Sequence, residues 1–255
     1  MAWRRGSRRG PVFEKANGWI RFCECVFYPV TRIVGRRKML GLEHLQVPGP
    51  VLAVGNHISH LDPVYSAVFL RKSGRWPHIM AKASLWKIPV VGPILKATQQ
   101  IPVERGGGRG QVGLDAAIEA LHEGKLVFIY PDGTISRDPE HWPMRPRPGV
   151  AALALSVPDL RVVPVAIWGT QEIVPPYAGK FRPWPRKDVI VAAGPPVPLD
   201  DLRGMEHDTR VVRDASIRIM TAVRDLLAEI RDEPAPVEFY DPKKAERMAK
   251  RAAGS

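Results

Sequence analysis

The chain has 255 residues, 45% hydrophobic and 25% charged, which allows one large domain or two small ones and excludes a wholly disordered chain or a fibrous repeat. Its 38 Lys and Arg outnumber its 26 Asp and Glu, and the excess sits at the ends: residues 1–40 carry ten basic and two acidic side chains, residues 243–255 five and one, and the stretch between 23 of each. A neutral body with two basic ends suits an anionic surface, either membrane or nucleic acid.

Cys23 and Cys25 are too close to staple a fold and lack further Cys or His at zinc spacing, so neither a disulfide scaffold nor a structural metal is expected. No run of about twenty apolar residues marks a membrane-spanning helix. The basic start is interrupted by Glu14, Lys15, Arg21 and Glu24, unlike a signal peptide. A cytosolic, reducing compartment at a membrane face is the expectation.

Residues 13–34 place Phe13, Ala16, Ile20, Cys23, Phe27, Val30 and Val34 at steps of three and four, widened by Trp19, Val26 and Ile33. This is a helical stripe that Pro29 should kink or split. Two readings stand for it: a helix lying in a membrane interface, or one packed on its own domain. Alternating elements follow. Strands are predicted at Gly41–Val47, Val51–Gly55, Gln100–Glu104, Leu126–Tyr130, Arg161–Trp168 and Val189–Ala193. Helices are predicted at Leu61–Leu70, 110–123, Gly149–Ser156 and 208–232. The fold class is therefore α/β, a largely parallel sheet flanked by helices. The organisation expected is a basic amphipathic segment at 1–40, an α/β domain at 41–233 and a mobile basic tail at 234–255, with 175–185 a proline-rich surface loop.

Chemistry concentrates in Asn56-His57-Ile58-Ser59-His60-Leu61-Asp62, between a strand and a helix. A five-residue separation lets the Asp62 carboxylate fold back onto the His57 imidazole. A carboxylate on one ring nitrogen leaves the other as a base able to deprotonate a hydroxyl. Taken alone, a His and an Asp near a helix start more often serve capping and polar satisfaction, and His60 is as eligible as His57. Ser59 suits a helix cap. Three further blocks follow in order: Ala81-Lys82 with Leu85-Trp86-Lys87-Ile88-Pro89 and then Ile101-Pro102-Val103-Glu104-Arg105; Tyr130-Pro131-Asp132-Gly133-Thr134-Ile135-Ser136-Arg137; and Val163-Pro164-Val165-Ala166.

In this order and at these distances, about residues 14–200 resemble the glycerolipid acyltransferase family, whose bacterial members include lysophosphatidic acid acyltransferases. The family's NHxSxxD element is complete at Asn56, His57, Ser59 and Asp62. The resemblance implies that His57 is the general base, Asp62 its orienting partner, and Arg105 a phosphate ligand with Lys82 as a second contact. Guanidinium suits that task through bidentate, charged contacts. The third block departs from the family's Glu-Gly-Thr-Arg. Asp132 has a shorter arm, and Ile135 replaces a guanidinium that Arg137 is placed to supply. Gly133 and Thr134 form either a plain turn after the strand or part of an oxyanion site. The apolar run Leu85–Leu95 is either core or the wall of an acyl-chain groove.

The resemblance thus implies transfer of a fatty acyl group from acyl-CoA or acyl carrier protein to a hydroxyl of lysophosphatidic acid, giving phosphatidic acid. No metal and no bound cofactor is implied. Glycerol 3-phosphate or another lyso-lipid is the alternative acceptor. Anionic membrane lipids are the expected partner, from the cytoplasmic face of the cell membrane and without a spanning segment. A non-catalytic nucleic-acid-binding protein is the alternative from another class. Charge confined to the ends and the lack of a nucleic-acid-binding motif between them argue against it.

Overall fold

Val51–Gly55 is buried along its whole length, and a strand with no exposed side chain fits only the interior of a sheet covered on both faces. The computed structural model, which describes residues 17–104, 110–177, 180–205 and 207–253, places it there. Among the described residues seven strands form one sheet: β1 (Gly35–Leu40), β2 (Val51–Gly55), β3 (Pro77–Lys82), β4 (Ile101–Val103), β5 (Leu126–Ile129), β6 (Arg161–Trp168) and β7 (Lys187–Ala193). Their order is β1-β7-β6-β2-β5-β3-β4. All neighbours pair in parallel except β6 with β7.

The helices are α1 (Gly18–Val34), α2 (Asp62–Lys72), α3 (Val91–Ala97), α4 (Gly110–His122), α5 (Gly149–Ser156), α6 (Thr170–Ile173), α7 (Thr209–Arg231) and α8 (Pro242–Ala253). Strand alternation sorts the core into two halves. Leu52 and Val54 of β2 face α4, α5 and α7 through Leu121, Leu153, Ile219 and Val223. Val51 and Ala53 face α2 through Tyr65 and Phe69. The expected largely parallel sheet flanked by helices is the fold observed.

Several elements differ from the sequence expectation. The strand expected at Gly41–Val47 is instead Gly35–Leu40, followed by a single 3-10 turn at Leu42–His44. Gly41 sits at φ +68°, and a Cβ there would meet the Ala193 carbonyl oxygen at 1.9 Å, so the chain turns at that point. Arg36 and Lys38 point outward from this edge strand, which hides its alternation under charge. The amphipathic segment accordingly ends at Val34, and 35–40 belongs to the sheet. Helix α1 also runs unbroken through Pro29. One missing hydrogen bond does not split seventeen residues that dock on α2 through the Glu24–Arg71 ion pair and the Tyr65 hydroxyl donating to the Thr31 carbonyl at 3.1 Å. In the expected tail, residues 242–253 form α8, capped by Asp241, which accepts from the Lys243 and Lys244 amides. Phe13 and Ala16, and the basic residues of the first sixteen positions, lie outside the described residues.

Because β2 to β6 run parallel, their carboxyl ends share one edge. The chain leaves β2 through α2 toward β3, and leaves β5 through α5 toward β6 on the other side of β2. Such a divergence opens a crevice at the carboxyl ends of the strands. Gly169 ends β6 there at φ +95°, where a Cβ would lie 1.9 Å from the Asp188 carbonyl oxygen. Gly169→Ala should therefore cost on the order of 3 kcal/mol, read as a lower urea midpoint with an unchanged slope. An unchanged midpoint would show that this turn relaxes freely.

Candidate active site

The turn after β2 is tied down on both sides. Asn56 is fully buried and continues the sheet pairing with its side chain: Nδ2 donates to the Ile167 carbonyl at 3.0 Å and Oδ1 accepts from the Ile167 amide at 2.9 Å. The Ser59 hydroxyl donates to the Val174 carbonyl at 2.8 Å and accepts from the Leu61 amide at 3.2 Å, so it fastens the turn before α2. Helix α2 then begins at Asp62, with Pro63 in its first turn.

Asp62 is completely buried. Its Oδ2 accepts from the Ile58 amide at 2.5 Å, the Ser59 amide at 2.8 Å and His57 Nδ1 at 2.9 Å, and its Oδ1 accepts from the Thr170 hydroxyl. A group receiving bonds from all sides acts as an acceptor, so His57 Nδ1 carries the proton and Nε2 presents a lone pair. The imidazole stacks on the Tyr130 ring with centroids 4.3 Å apart and planes 19° from parallel. Burial first, and the Asp62 charge second, push the Tyr130 phenol well above its ordinary value, while its bond with the Ser66 hydroxyl pulls the other way. His57 keeps 16% of its side chain exposed, so it opens toward solvent at one edge. His60 points outward and is exposed.

The loop after β5 wraps this pair. The Ser136 amide donates to the His57 carbonyl at 2.7 Å, and the Gly133 amide donates to Tyr130 at 3.0 Å within a tight turn. That turn consumes the Gly133 N–H, which leaves Asp132, Thr134 and Ile135 as the backbone donors of this loop without a hydrogen bond among the described residues. Asp132 is buried. Its oxygens make no complete hydrogen bond among the described residues. Burial raises its carboxyl well above the ordinary range, opposed by the Met144 amide and by the Arg147 charge.

Of the expected cationic residues, Lys82 lies exposed at the carboxyl end of β3, on the same sheet edge. Arg105 lies outside the described residues. Arg137 is exposed and reaches Glu246 on α8 at 3.3 Å. The guanidinium beside Gly133 belongs instead to Arg147: a Cβ on Gly133 would sit 2.7 Å from its Nε and 3.0 Å from its Cζ. The Arg147 guanidinium has no ion pair or hydrogen bond among the described residues, while its amide is anchored to the Pro131 carbonyl at 3.1 Å. Thr170, Tyr130 and Arg147 were not singled out from the sequence. Thr170 had a weak signal, a Gly-Thr step after a strand. Arg147 had a better one, its place between Pro146 and Pro148. The run 85–95 is not buried core: Ile88, Val90 and Val91 are exposed.

A family model described as Acyltransferase matches residues 36–168, about half of the chain. The chain belongs to the acyltransferase family. This acyltransferase is 33% identical over 137 residues to the chloroplastic 1-acyl-sn-glycerol-3-phosphate acyltransferase BAT2 of Brassica napus, covering 53% of this chain and 38% of that one. It is 27% identical over 219 residues to the N-acylphosphatidylethanolamine synthase of Arabidopsis thaliana, covering 79% and 76%. It thus spans well under half of the Brassica enzyme's length. The crystal structure of the 1-acyl-sn-glycerophosphate (LPA) acyltransferase PlsC from Thermotoga maritima superposes with a TM-score of 0.63 over 85% of this chain and 81% of that one, at 20% identity, a likeness of fold.

Asp132 generates a pH prediction. A carboxyl raised in the folded state contributes stability below the ordinary carboxylate range and loses it as pH rises through the raised value. Asp132→Asn should therefore raise Tm at pH 8, with the gain shrinking toward pH 4. An equal gain at both pH values would assign the effect to packing.

Proposed function

We propose that the protein transfers a fatty acyl group from a thioester, acyl-CoA or acyl carrier protein, to the free hydroxyl of lysophosphatidic acid. The observation that carries the reading is the His57–Asp62 pair, with Nδ1 held by a buried acceptor and Nε2 left at the open edge of the ring. Nε2 takes the hydroxyl proton as the oxygen attacks the thioester carbonyl, and Asp62 stabilises the imidazolium. The tetrahedral intermediate collapses with loss of thiolate, which recovers the proton from Nε2. The amides of Thr134 and Ile135 are among the loop donors left to meet the oxyanion. No acyl-enzyme is needed, since the Ser59 hydroxyl is committed to the Val174 carbonyl.

Arg147 is the acceptor's phosphate ligand in this reading. Its guanidinium makes no hydrogen bond or ion pair among the described residues, lies against a glycine that leaves room for it, and supplies the charge that Ile135, a buried residue, does not. Arg105 and Lys82 are further phosphate contacts carried by the resemblance. The relative that aligns over 79% of the chain supports a second acceptor, the primary amine of a phosphatidylethanolamine. The same base would take the proton from nitrogen.

Helix α1 gives the site its setting. Ile20, Cys23 and Thr31 pack inward, while Trp19, Phe22, Val26, Val30 and Ile33 form an exposed stripe on the adjoining side. That stripe suits the interface of a bilayer, and no helix among the described residues is long and apolar enough to cross one. The protein then works at the surface of the cytoplasmic face.

Side-by-side assays with labelled acyl-CoA against lysophosphatidic acid, glycerol 3-phosphate and phosphatidylethanolamine test the acceptor. His57→Ala should lower kcat by roughly 10²–10⁴-fold and His60→Ala by less than about twofold; the reverse order would overturn the choice of base. Arg147→Ala should raise KM for the phosphomonoester acceptor on the order of tenfold or more, with the KM for acyl-CoA unchanged and partial rescue by Arg147→Lys. Equal rises for donor and acceptor would make Arg147 a structural residue.

A further inference from the structure

The loop from Val174 to β7 carries three exposed aromatic side chains, Tyr177, Phe181 and Trp184, the last 80% exposed. Large aromatics in water are costly, and three in eight positions are not the scatter of a soluble surface. Between and beside them stand Lys180, Arg182, Arg186 and Lys187. No acidic residue lies between Glu172 and Asp188, and Asp188 is neutralised by a two-point ion pair with Arg36, 2.6 Å at its shorter contact. Lys180 and Arg182 are exposed and make no ion pair among the described residues. Alternating aromatic and basic side chains match a bilayer interface, where rings sit at headgroup depth and cations meet lipid phosphates.

The position of the loop gives this chemistry a purpose. Its base is bound to the active-site turn, since the Ser59 hydroxyl donates to the Val174 carbonyl, and the Tyr177 hydroxyl donates to the Ile135 carbonyl at 2.8 Å. Its far end is bound to α1, because the Arg186 guanidinium donates to the Arg32 carbonyl and to the Gly35 carbonyl at 3.2 Å. The loop therefore bridges the mouth of the site and the exposed stripe of α1, which ends at Ile33.

We propose that Phe181 and Trp184, flanked by Lys180 and Arg182, form a second docking element for an anionic bilayer, separate from α1, which sets the mouth of the active site against the lipid surface. The inference rests on the proposed reaction only for its effect on activity. An enzyme held by α1 alone pivots about one helix. A second contact beside the site fixes the orientation, so that a lyso-lipid enters from the membrane without first dissolving. Aromatic insertion supplies a contribution that salt does not screen, and the cations supply one that it does.

The test compares the full-length protein with Phe181→Ser/Trp184→Ser and with Lys180→Glu/Arg182→Glu. All four substituted loop side chains are exposed, and unchanged circular dichroism melts establish that the variants are intact. Partitioning is measured onto vesicles of phosphatidylcholine and phosphatidylglycerol, 3:1, and onto pure phosphatidylcholine, with Trp19→Ser/Phe22→Ser as the benchmark for α1. The aromatic pair should lose about tenfold or more in partitioning onto both vesicles. The charge pair should lose affinity for the anionic vesicles alone. Transfer to lysophosphatidic acid in vesicles should fall with partitioning, while transfer to a short-chain acceptor kept monomeric stays unchanged. Wild-type partitioning by the aromatic variant would overturn the proposal, as would equal loss of activity on both acceptors, which would make the loop part of the substrate site. A wild-type enzyme inert toward every acceptor, with partitioning still lost in the variants, would overturn the reaction and leave the docking element standing.

Discussion

A carboxylate with no exposed surface is tolerated only where donors replace the water it has lost. Asp62 finds them in the amides of its own turn, in His57 and in a hydroxyl beyond the end of β6. Each donor fixes a different part of the molecule. The amides of Ile58 and Ser59 fold the turn after β2 into one shape. Thr170 requires β6 to end where it does, at a glycine only its backbone can occupy. The imidazole is then held in one tautomer by the remaining bond. Orientation of the imidazole follows from burial of its partner, and the sheet register between β2 and β6 is what brings the two halves together.

Around this pair the structure repeats one device, a strand end whose backbone or side chain completes a neighbour's hydrogen bonds. Asn56 does so for Ile167, and Ser136 for His57. A parallel sheet makes this natural, because its strand ends emerge side by side with unpaired groups that need partners. The loops that result are tied to one another at several points, which holds the His57–Asp62 pair and the loop after β5 in a defined relation.

Strong periodicity made much of this legible beforehand. Buried strands such as Leu126–Ile129 and Arg161–Trp168 read as apolar runs, and α7 shows its core face in register over six turns. The turn from Asn56 to Asp62 was legible because all its members lie within seven residues. What escaped were elements whose pattern is masked or whose partner is distant. Charges cover the alternation of β1, and Pro77 and His78 disguise β3. The position of Arg147 depends on how α5 approaches the loop after β5, fourteen residues away, and no local spacing encodes that approach. Arg137 looked suitable by proximity in sequence, yet the turn at Gly133 sends its side chain outward to α8. The ordering of α8 likewise depends on tertiary partners, the Arg145–Asp241 pair and the bridge between Met144 and Tyr240.

Helix α1 unites the charge distribution with the fold. A helix that is apolar on one face can serve a soluble domain, but α1 carries a second apolar stripe that stays exposed among the described residues. Five exposed apolar side chains along one line call for a second medium, just as the inner face calls for α2. The basic ends of the chain are consistent with that medium being anionic. Their attraction acts over about a Debye length, roughly 8 Å at physiological salt, so it operates near the surface and adds little at the buried pair. Between the ends, acidic and basic residues are equal in number, and the charges near the site are local ones: Asp62 on the His57 ring, and Asp132, held toward its neutral form by burial, near Arg147 in the loop after β5. Long-range charge at the ends is thus kept apart from the short-range groups at the centre of the fold.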